Sequence, residues 1–151
     1  MSIAMLCRKD IVTVREGDEL GVAARLMREK HIGYLIVVRP RVGDGSLVPV
    51  GVLTDRDIVV KVLAPQADPR TLRVGDVMTQ EPVVAKDTDD IKDALLTMRR
   101  IGVRRLPVIA ITGQLVGVLS LDDILDTLAE DLSNVAGSIR REQRLESALL
   151  P

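Results

Sequence analysis

The stretch GVLTDRDIV, Gly51 to Val59, returns as GVLSLDDIL, Gly117 to Leu125. Gly, Val, Leu, Asp and Ile recur in register. In both copies a hydroxyl, Thr54 or Ser120, stands three residues before an aspartate, Asp57 or Asp123. A junction written twice points to a unit folded twice, and such self-similarity constrains the fold more than any single motif. Upstream, DIVTVREGDELGVAARLMREKHIGYLIVV from Asp10 aligns with EPVVAKDTDDIKDALLTMRRIGVRRLPVI from Glu81. Leu20, Ala23, Ala24 and Met27 fall opposite Ile91, Ala94, Leu95 and Met98. Each set has the spacing of one apolar helix face. Asp18 and Asp89 precede the two helices, where a short acceptor is expected to cap free N–H groups.

After each helix comes a β-rich run, Tyr34–Val38 or Arg105–Ile109, then a turn, then Leu47–Thr54 or Leu115–Ser120. The first copy has the longer turn, around RPRVGDGS. A second helix is expected from about Asp55 and from about Leu121. Each unit therefore reads β-α-β-β-α, and the chain is predicted to be α/β (α+β). The unbroken apolar VGVL reads as a strand covered on both faces, and Pro49 places the start of that strand at an edge.

The expected division is repeat 1 over 1–64, a linker over 65–76, repeat 2 over 77–131 and a helical tail over 132–151. VGDVM in the linker region reads as a short lead-in helix. One unit of about 60 residues is marginal alone, because it buries only about 60% of its unfolded surface. Two units packed sheet to sheet, with pseudo-two-fold symmetry, share a larger core. In the tail, Leu125, Leu128, Leu132, Val135 and Ile139 step by three and four, a coiled-coil-like seam. Gly137 and Ser133-Asn134 weaken it.

Composition excludes several classes. Lys and Arg number 21 against 22 Asp and Glu, so a general electrostatic affinity for nucleic acid is not expected. Tyr34 is the only aromatic residue, which leaves no stacking platform for bases. Cys7 is the only cysteine, so no intrachain disulfide forms and the expected compartment is intracellular. No signal-peptide pattern opens the sequence and no apolar run approaches the roughly 18 residues of a membrane span. The expectation is a cytoplasmic protein without a membrane partner.

The paired junctions admit two readings. Thr54-x-x-Asp57 and Ser120-x-x-Asp123 are capping boxes, a sufficient reason for hydroxyl, carboxylate and spacing. A helix N-terminus also attracts phosphate, and a carboxylate beside it can accept two hydrogen bonds from a ribose diol. The residues alone favour the cap.

Two tandem units with VMT at Val77–Thr79, RRLPVI at Arg104–Ile109 and the paired junctions resemble a cystathionine β-synthase (CBS) domain pair of the stand-alone prokaryotic type. The resemblance runs from about Cys7 to Asp131 and tips the reading of the junctions toward binding. It implies a regulator, not an enzyme, that binds AMP, ADP, ATP or S-adenosylmethionine in clefts between the repeats. It implies a homodimer, with a regulated protein as a further partner. No cofactor, catalytic residue or metal ligand is implied. The hydroxyl–Asp pair of one repeat is expected to face the first strand of the other. Thr54 and Asp57 would then share a cleft with Thr79, Val83, Val84 and Val103. Ser120 and Asp123 would face Arg8, Val12, Thr13 and Ile32. The apolar residues would sandwich adenine, although sheet core explains each of them singly.

Arg105, and Arg104 beside it, stand where the family often carries a phosphate-binding base. The first copy has Gly33 and Tyr34 there, and Ile36 opposite Pro107, so the two clefts are not equivalent. A solvated surface pair explains the arginines almost as well, and Arg56 could pair with Asp55. His31 has no metal-ligand partner and is expected to end a helix. Cys7 has no histidine near it in sequence and reads as a buried thiol. Tyr34 fits the sheet core, with stacking on adenine as the alternative. A structural dimerisation module with vestigial clefts competes with the ligand sensor. A nucleic-acid adaptor using Arg99, Arg100, Arg104 and Arg105 is a third class, opposed by the neutral charge.

Overall fold

A computed structural model describes residues 1–150. The chain opens with a short helix, α1 (Ile3–Leu6). The first repeat follows as β1 (Thr13–Arg15), α2 (Leu20–Lys30), β2 (Tyr34–Pro40), β3 (Leu47–Thr54) and α3 (Asp55–Ile58), which runs on as a π-helical turn over Val59–Leu63. Next come a single 3-10 turn (Pro69–Thr71), α4 (Val74–Val77) and β4 (Thr79–Gln80). The second repeat is β5 (Ala85–Lys86), α5 (Ile91–Ile101), β6 (Arg105–Ile109), β7 (Leu115–Ser120) and α6 (Leu121–Leu149). The sheets are β1-β2-β3-β4 and β5-β6-β7, with β1 parallel to β2, β5 parallel to β6 and the other pairs antiparallel. This is the β-α-β-β-α unit, twice, and the strand limits at Thr54 and Ser120 fall where the sequence placed them.

Local chemistry sets the element ends. Neither Asp18 nor Asp89 caps the helix after it, as the sequence had implied. Asp18 accepts from the Arg15 N–H at 2.8 Å and Asp89 from the Lys86 N–H at 2.9 Å. Both carboxylates turn back to the strand just ended, a local side-chain-to-backbone bond that closes the turn. Asp90 caps α5 instead, accepting from the Lys92 N–H at 2.9 Å, while Glu19 at the start of α2 makes no such bond. At the far ends His31 and Gly102 take the left-handed conformation that stops a helix, at φ 54° and 73°. Pro49 pairs with Val38 where the register slips, and β4 covers β3 only at Gly51 and Val52. The proline therefore sits on an open side of an otherwise inner strand.

The two repeats exchange their lead-in segments. Ile3 and Cys7, ahead of the first repeat, are buried in the second core with Ala94, Met98, Leu106, Leu119 and Ile124. Val74, Val77 and Met78, ahead of the second repeat, are buried in the first core with Leu20, Met27, Leu35 and Leu53. The crossing strands attach at matching places. Arg8 and Val118 exchange two backbone hydrogen bonds, at 2.9 and 3.0 Å. Thr79 pairs with Val52, the counterpart of Val118. A third cluster, Ile36, Val38 and Leu115 with Tyr34, Leu47 and Val118 partly buried, joins the two sheets face to face.

This crossing accounts for the glycine of each GVL. A Cβ on Gly117 would lie 2.8 Å from the Arg8 carbonyl oxygen and 2.8 Å from Cys7 Sγ. On Gly51 it would meet the Thr79 carbonyl oxygen at 2.9 Å and Met78 Sδ at 2.5 Å. Only a bare Cα lets the exchanged segment approach so closely. Gly137 in α6 has no atom within 4 Å of such a Cβ. Gly117→Ala is therefore expected to lose about 1–3 kcal/mol of stability by overpacking, and Gly137→Ala to gain up to about 1 kcal/mol by helix propensity. Urea unfolding followed by far-UV circular dichroism checks both, and a neutral Gly117→Ala would contradict the crossing.

Candidate functional site

The exchange brings the second-helix junction of each repeat against the lead-in of the other, and a cleft opens at each meeting. The larger, about 500 Å3, is lined by Thr54, Asp57, Thr79, Val83 and Val103, with Val52, Ile101, Arg104 and Arg105 around them. The smaller, about 310 Å3, is lined by Ser120, Asp123, Arg8, Val12 and Ile32, with Lys30, Tyr34 and Arg105.

Both junctions are hydrogen-bonded caps. Thr54 Oγ1 accepts from the Asp57 N–H at 3.1 Å, and Asp57 Oδ2 accepts from the Thr54 N–H at 3.0 Å. Lys61 Nζ lies 3.0 Å from the other oxygen, Asp57 Oδ1. The box is complete and its carboxylate is engaged on both oxygens. In the second copy Ser120 Oγ accepts from the Asp123 N–H at 3.1 Å and donates to Asp123 Oδ2 at 2.6 Å. Thr127 takes the place of Lys61 and donates instead to the Asp123 carbonyl oxygen at 3.0 Å. No cation holds Asp123 among the described residues, and its Oδ1 keeps acceptor capacity toward the cleft. A buried carboxylate would need more partners; this one is only partly buried.

Tyr34 and Arg105 occupy matching positions, and both line both clefts. The Arg105 guanidinium lies over the Tyr34 ring, 5.8 Å from its centroid, at a distance where a cation–π attraction acts. The Tyr34 hydroxyl is buried and has no hydrogen-bond partner among the described residues. Burial pushes this phenol far above its ordinary pKa, and Arg105 opposes that shift, so it stays neutral across physiological pH. Arg104 is tied to Asp122 at 2.9 Å, with Arg105 3.9 Å from the same carboxylate.

A family model for the CBS domain matches residues 3–64 and 74–130. The chain belongs to the CBS-domain family. Hypoxic response protein 1 of Mycobacterium tuberculosis is 38% identical over 120 residues, 80% of each chain. A crystal structure of hypoxic response protein I with two coordinated zinc ions superposes with a TM-score of 0.71, at 33% identity, over 83% of this chain and 98% of that one. A CBS domain protein of Pyrobaculum aerophilum, complexed with AMP, has a TM-score of 0.70 at 26% identity over 82% and 89% of the two chains. An uncharacterized Methanopyrus kandleri protein is 30% identical over 125 residues, and this chain spans 61% of its length. The chain spans 21% of an inosine-5'-monophosphate dehydrogenase from Methanocaldococcus jannaschii, at 36% identity.

Against the CBS expectation, the two clefts gather all but two of the named residues. Thr13 and Val84 line neither. They are equivalent positions, each one residue past a cleft residue, Val12 or Val83. Alternation along extended chain turns neighbouring side chains to opposite faces. Val84 instead lines a separate depression of about 640 Å3 with Pro49, Gln80 and Glu81. Lys30 and Ile101 were missed by sequence reading; each ends the first helix of its repeat and faces a cleft. Their matching places in the aligned copies were the available signal. Among the described residues, no group of three or more His, Cys, Asp or Glu is placed to hold a metal ion, and no helix is long and apolar enough to cross a membrane.

Because the Tyr34 hydroxyl is buried without a partner, Tyr34→Phe removes a desolvated group and keeps the ring under Arg105. The variant is expected to be as stable as the parent or more stable by about 1 kcal/mol. Thermal unfolding measures this; a loss of more than about 1 kcal/mol would mean that the hydroxyl is bonded.

Proposed function

We propose that this CBS pair is a regulatory module that binds an adenosine-containing ligand, AMP, ADP, ATP or S-adenosylmethionine, in the clefts between its repeats. One observation carries the reading: Thr54, Asp57, Thr79, Val83 and Val103, from both repeats, surround a single 500 Å3 cavity with Arg105 at its rim. That volume lies within the range of small-molecule sites, about 300–1,000 Å3. The AMP complex of the Pyrobaculum relative supports the ligand class.

In this proposal Val83 and Val103 flank the adenine, Thr79 and Asp57 take the ribose hydroxyls, and Arg104 and Arg105 meet the phosphates. A phosphate must compete with Asp122 for Arg104, which limits what that side chain contributes. In the smaller cleft Val12 and Ile32 take the place of Val83 and Val103. Arg8 and Lys30 there replace Thr79 and Ile101, so the cations of this cleft come from the lead-in and the first helix, with Asp10 and Asp122 beside them. The Ser120 end of α6 adds the free N–H groups and partial positive charge of a long helix. A bound ligand touches both repeats and so favours one angle between them, a population shift that a regulated protein can read. The module acts as a cytoplasmic homodimer and performs no chemistry on its ligand.

A second reading, a structural module with vestigial clefts, has one observation in its favour. The Thr54–Asp57 box is complete, and Lys61 already neutralises its carboxylate. Calorimetry on nucleotide-stripped protein separates the two. Saturable heat is expected with AMP, ATP or S-adenosylmethionine. Asp57→Ala or Asp123→Ala is expected to weaken binding about 10- to 100-fold, the effect of losing hydrogen bonds to a charged group. No heat with any of the three, from protein with native circular dichroism, would leave the junctions as caps alone.

A further inference from the structure

Tyr34 and Arg105, at matching positions of the two repeats, form a wall between the clefts, since each lines both. Only one of them carries charge. In the small cleft Arg8, Lys30 and Arg105 face Asp10, Asp122 and Asp123. In the large cleft Arg56, Arg104 and Arg105 face Asp55, Asp57 and Glu81. Each lining balances three cations against three carboxylates, but Arg105 belongs to both. Once it turns to an anion in one cleft, the other keeps two cations against three carboxylates. Had both copies carried an arginine there, each cleft would hold its own.

A second link acts with the same sign. Asp122 lines the small cleft and not the large one, yet its charge is covered by arginines that line the large one. Arg104 holds it at 2.9 Å, and Arg105 lies 3.9 Å away. An anion in the large cleft that draws these arginines uncovers a carboxylate on the wall of the small cleft. An anion in the small cleft draws Arg105 away from the large one, and Tyr34 brings no charge to replace it.

We propose that the two clefts compete for phosphate, so that an anionic nucleotide in one weakens the binding of a second in the other. The inference rests on the adenosine-ligand reading above and adds the sign of the coupling between its two sites. That coupling is reciprocal, whichever cleft fills first. It acts on charge, so adenosine, which has no phosphate, escapes it. The side chains of Arg105 and Asp122 are half-exposed, and water and salt screen them. The expected penalty is therefore about 5- to 10-fold, at the lower end of couplings between sites.

Calorimetry of the full, nucleotide-stripped chain with AMP and with adenosine tests it. The clefts differ in sequence, so each is also measured alone, with the other filled by Val83→Trp or Val12→Trp. With statistical factors removed, the parent's weaker AMP constant is expected to be about 5- to 10-fold weaker than that of either variant. For adenosine, parent and variant constants are expected to coincide. Arg105→Gln, introduced into all three proteins, is expected to lower AMP affinity and shrink the penalty to about twofold or less. If a tryptophan variant unfolds by circular dichroism, the parent and Arg105→Gln still decide, because the ratio of the two AMP constants must fall between them. Parent AMP constants equal to those of the variants, an equal penalty with adenosine, or a cleft that takes no AMP when alone would overturn this inference only. No AMP heat from any of the folded proteins would overturn the adenosine-ligand reading, and this inference with it.

Discussion

The exchange of lead-in segments is the contact on which the rest of the molecule depends. Without it each repeat would be a three-stranded sheet with two helices on it and an incomplete core. Ile3 and Cys7 complete the second core; Val74, Val77 and Met78 complete the first. Two marginal units become one cooperative body by this means, since neither can finish its apolar interior from its own stretch of chain. The same crossing sets the clefts, because Thr79 and Arg8 lie on the exchanged segments and end beside the hydroxyl–aspartate junction of the other repeat. A ligand held there contacts both repeats at once, so binding and repeat geometry are coupled by construction.

Duplication gave the clefts one plan, and substitution has since separated them. Lys61 holds Asp57, whereas Thr127 leaves Asp123 without a cation. Arg8 and Lys30 line one cleft where Thr79 and Ile101 line the other, and Arg56 and Arg104 line only the second. Between them, Arg105 lies over Tyr34 and borders both. Movement of this arginine toward an anion in one cleft would change a wall of the other. That is a physical route for coupling two sites, because it is one side chain with two competing partners.

Much of this was legible in the sequence because it is local or periodic. The GVL–hydroxyl–Asp junctions fixed two strand ends and two helix starts, and the apolar spacing of Leu20 to Met27 and Ile91 to Met98 fixed the intervening helices. What failed was the direction of short side chains. An aspartate between a strand and a helix can serve the N–H behind it or those ahead, and Asp18 and Asp89 serve the one behind. Thr13 and Val84 failed by a single residue of strand alternation. The pairing of Arg8 with Val118 has no local signature at all; the resemblance set Arg8 only against Ser120 and Asp123, and Gly51 and Gly117 became explicable only once the crossing was seen. Lys30 and Ile101 had a signal, their matching positions at the ends of α2 and α5, but nothing in either residue type pointed to a cleft.

The central claim is that ligand binding and the exchanged segments are one device, and amide hydrogen exchange with and without AMP tests it most directly. Added AMP is expected to slow exchange in the lead-in residues 79–84 or 8–13 together with the junction that faces them, Thr54–Asp57 or Ser120–Asp123. Saturable AMP binding that leaves both lead-ins and both junctions unprotected, or protects only the outer helices, would contradict the account.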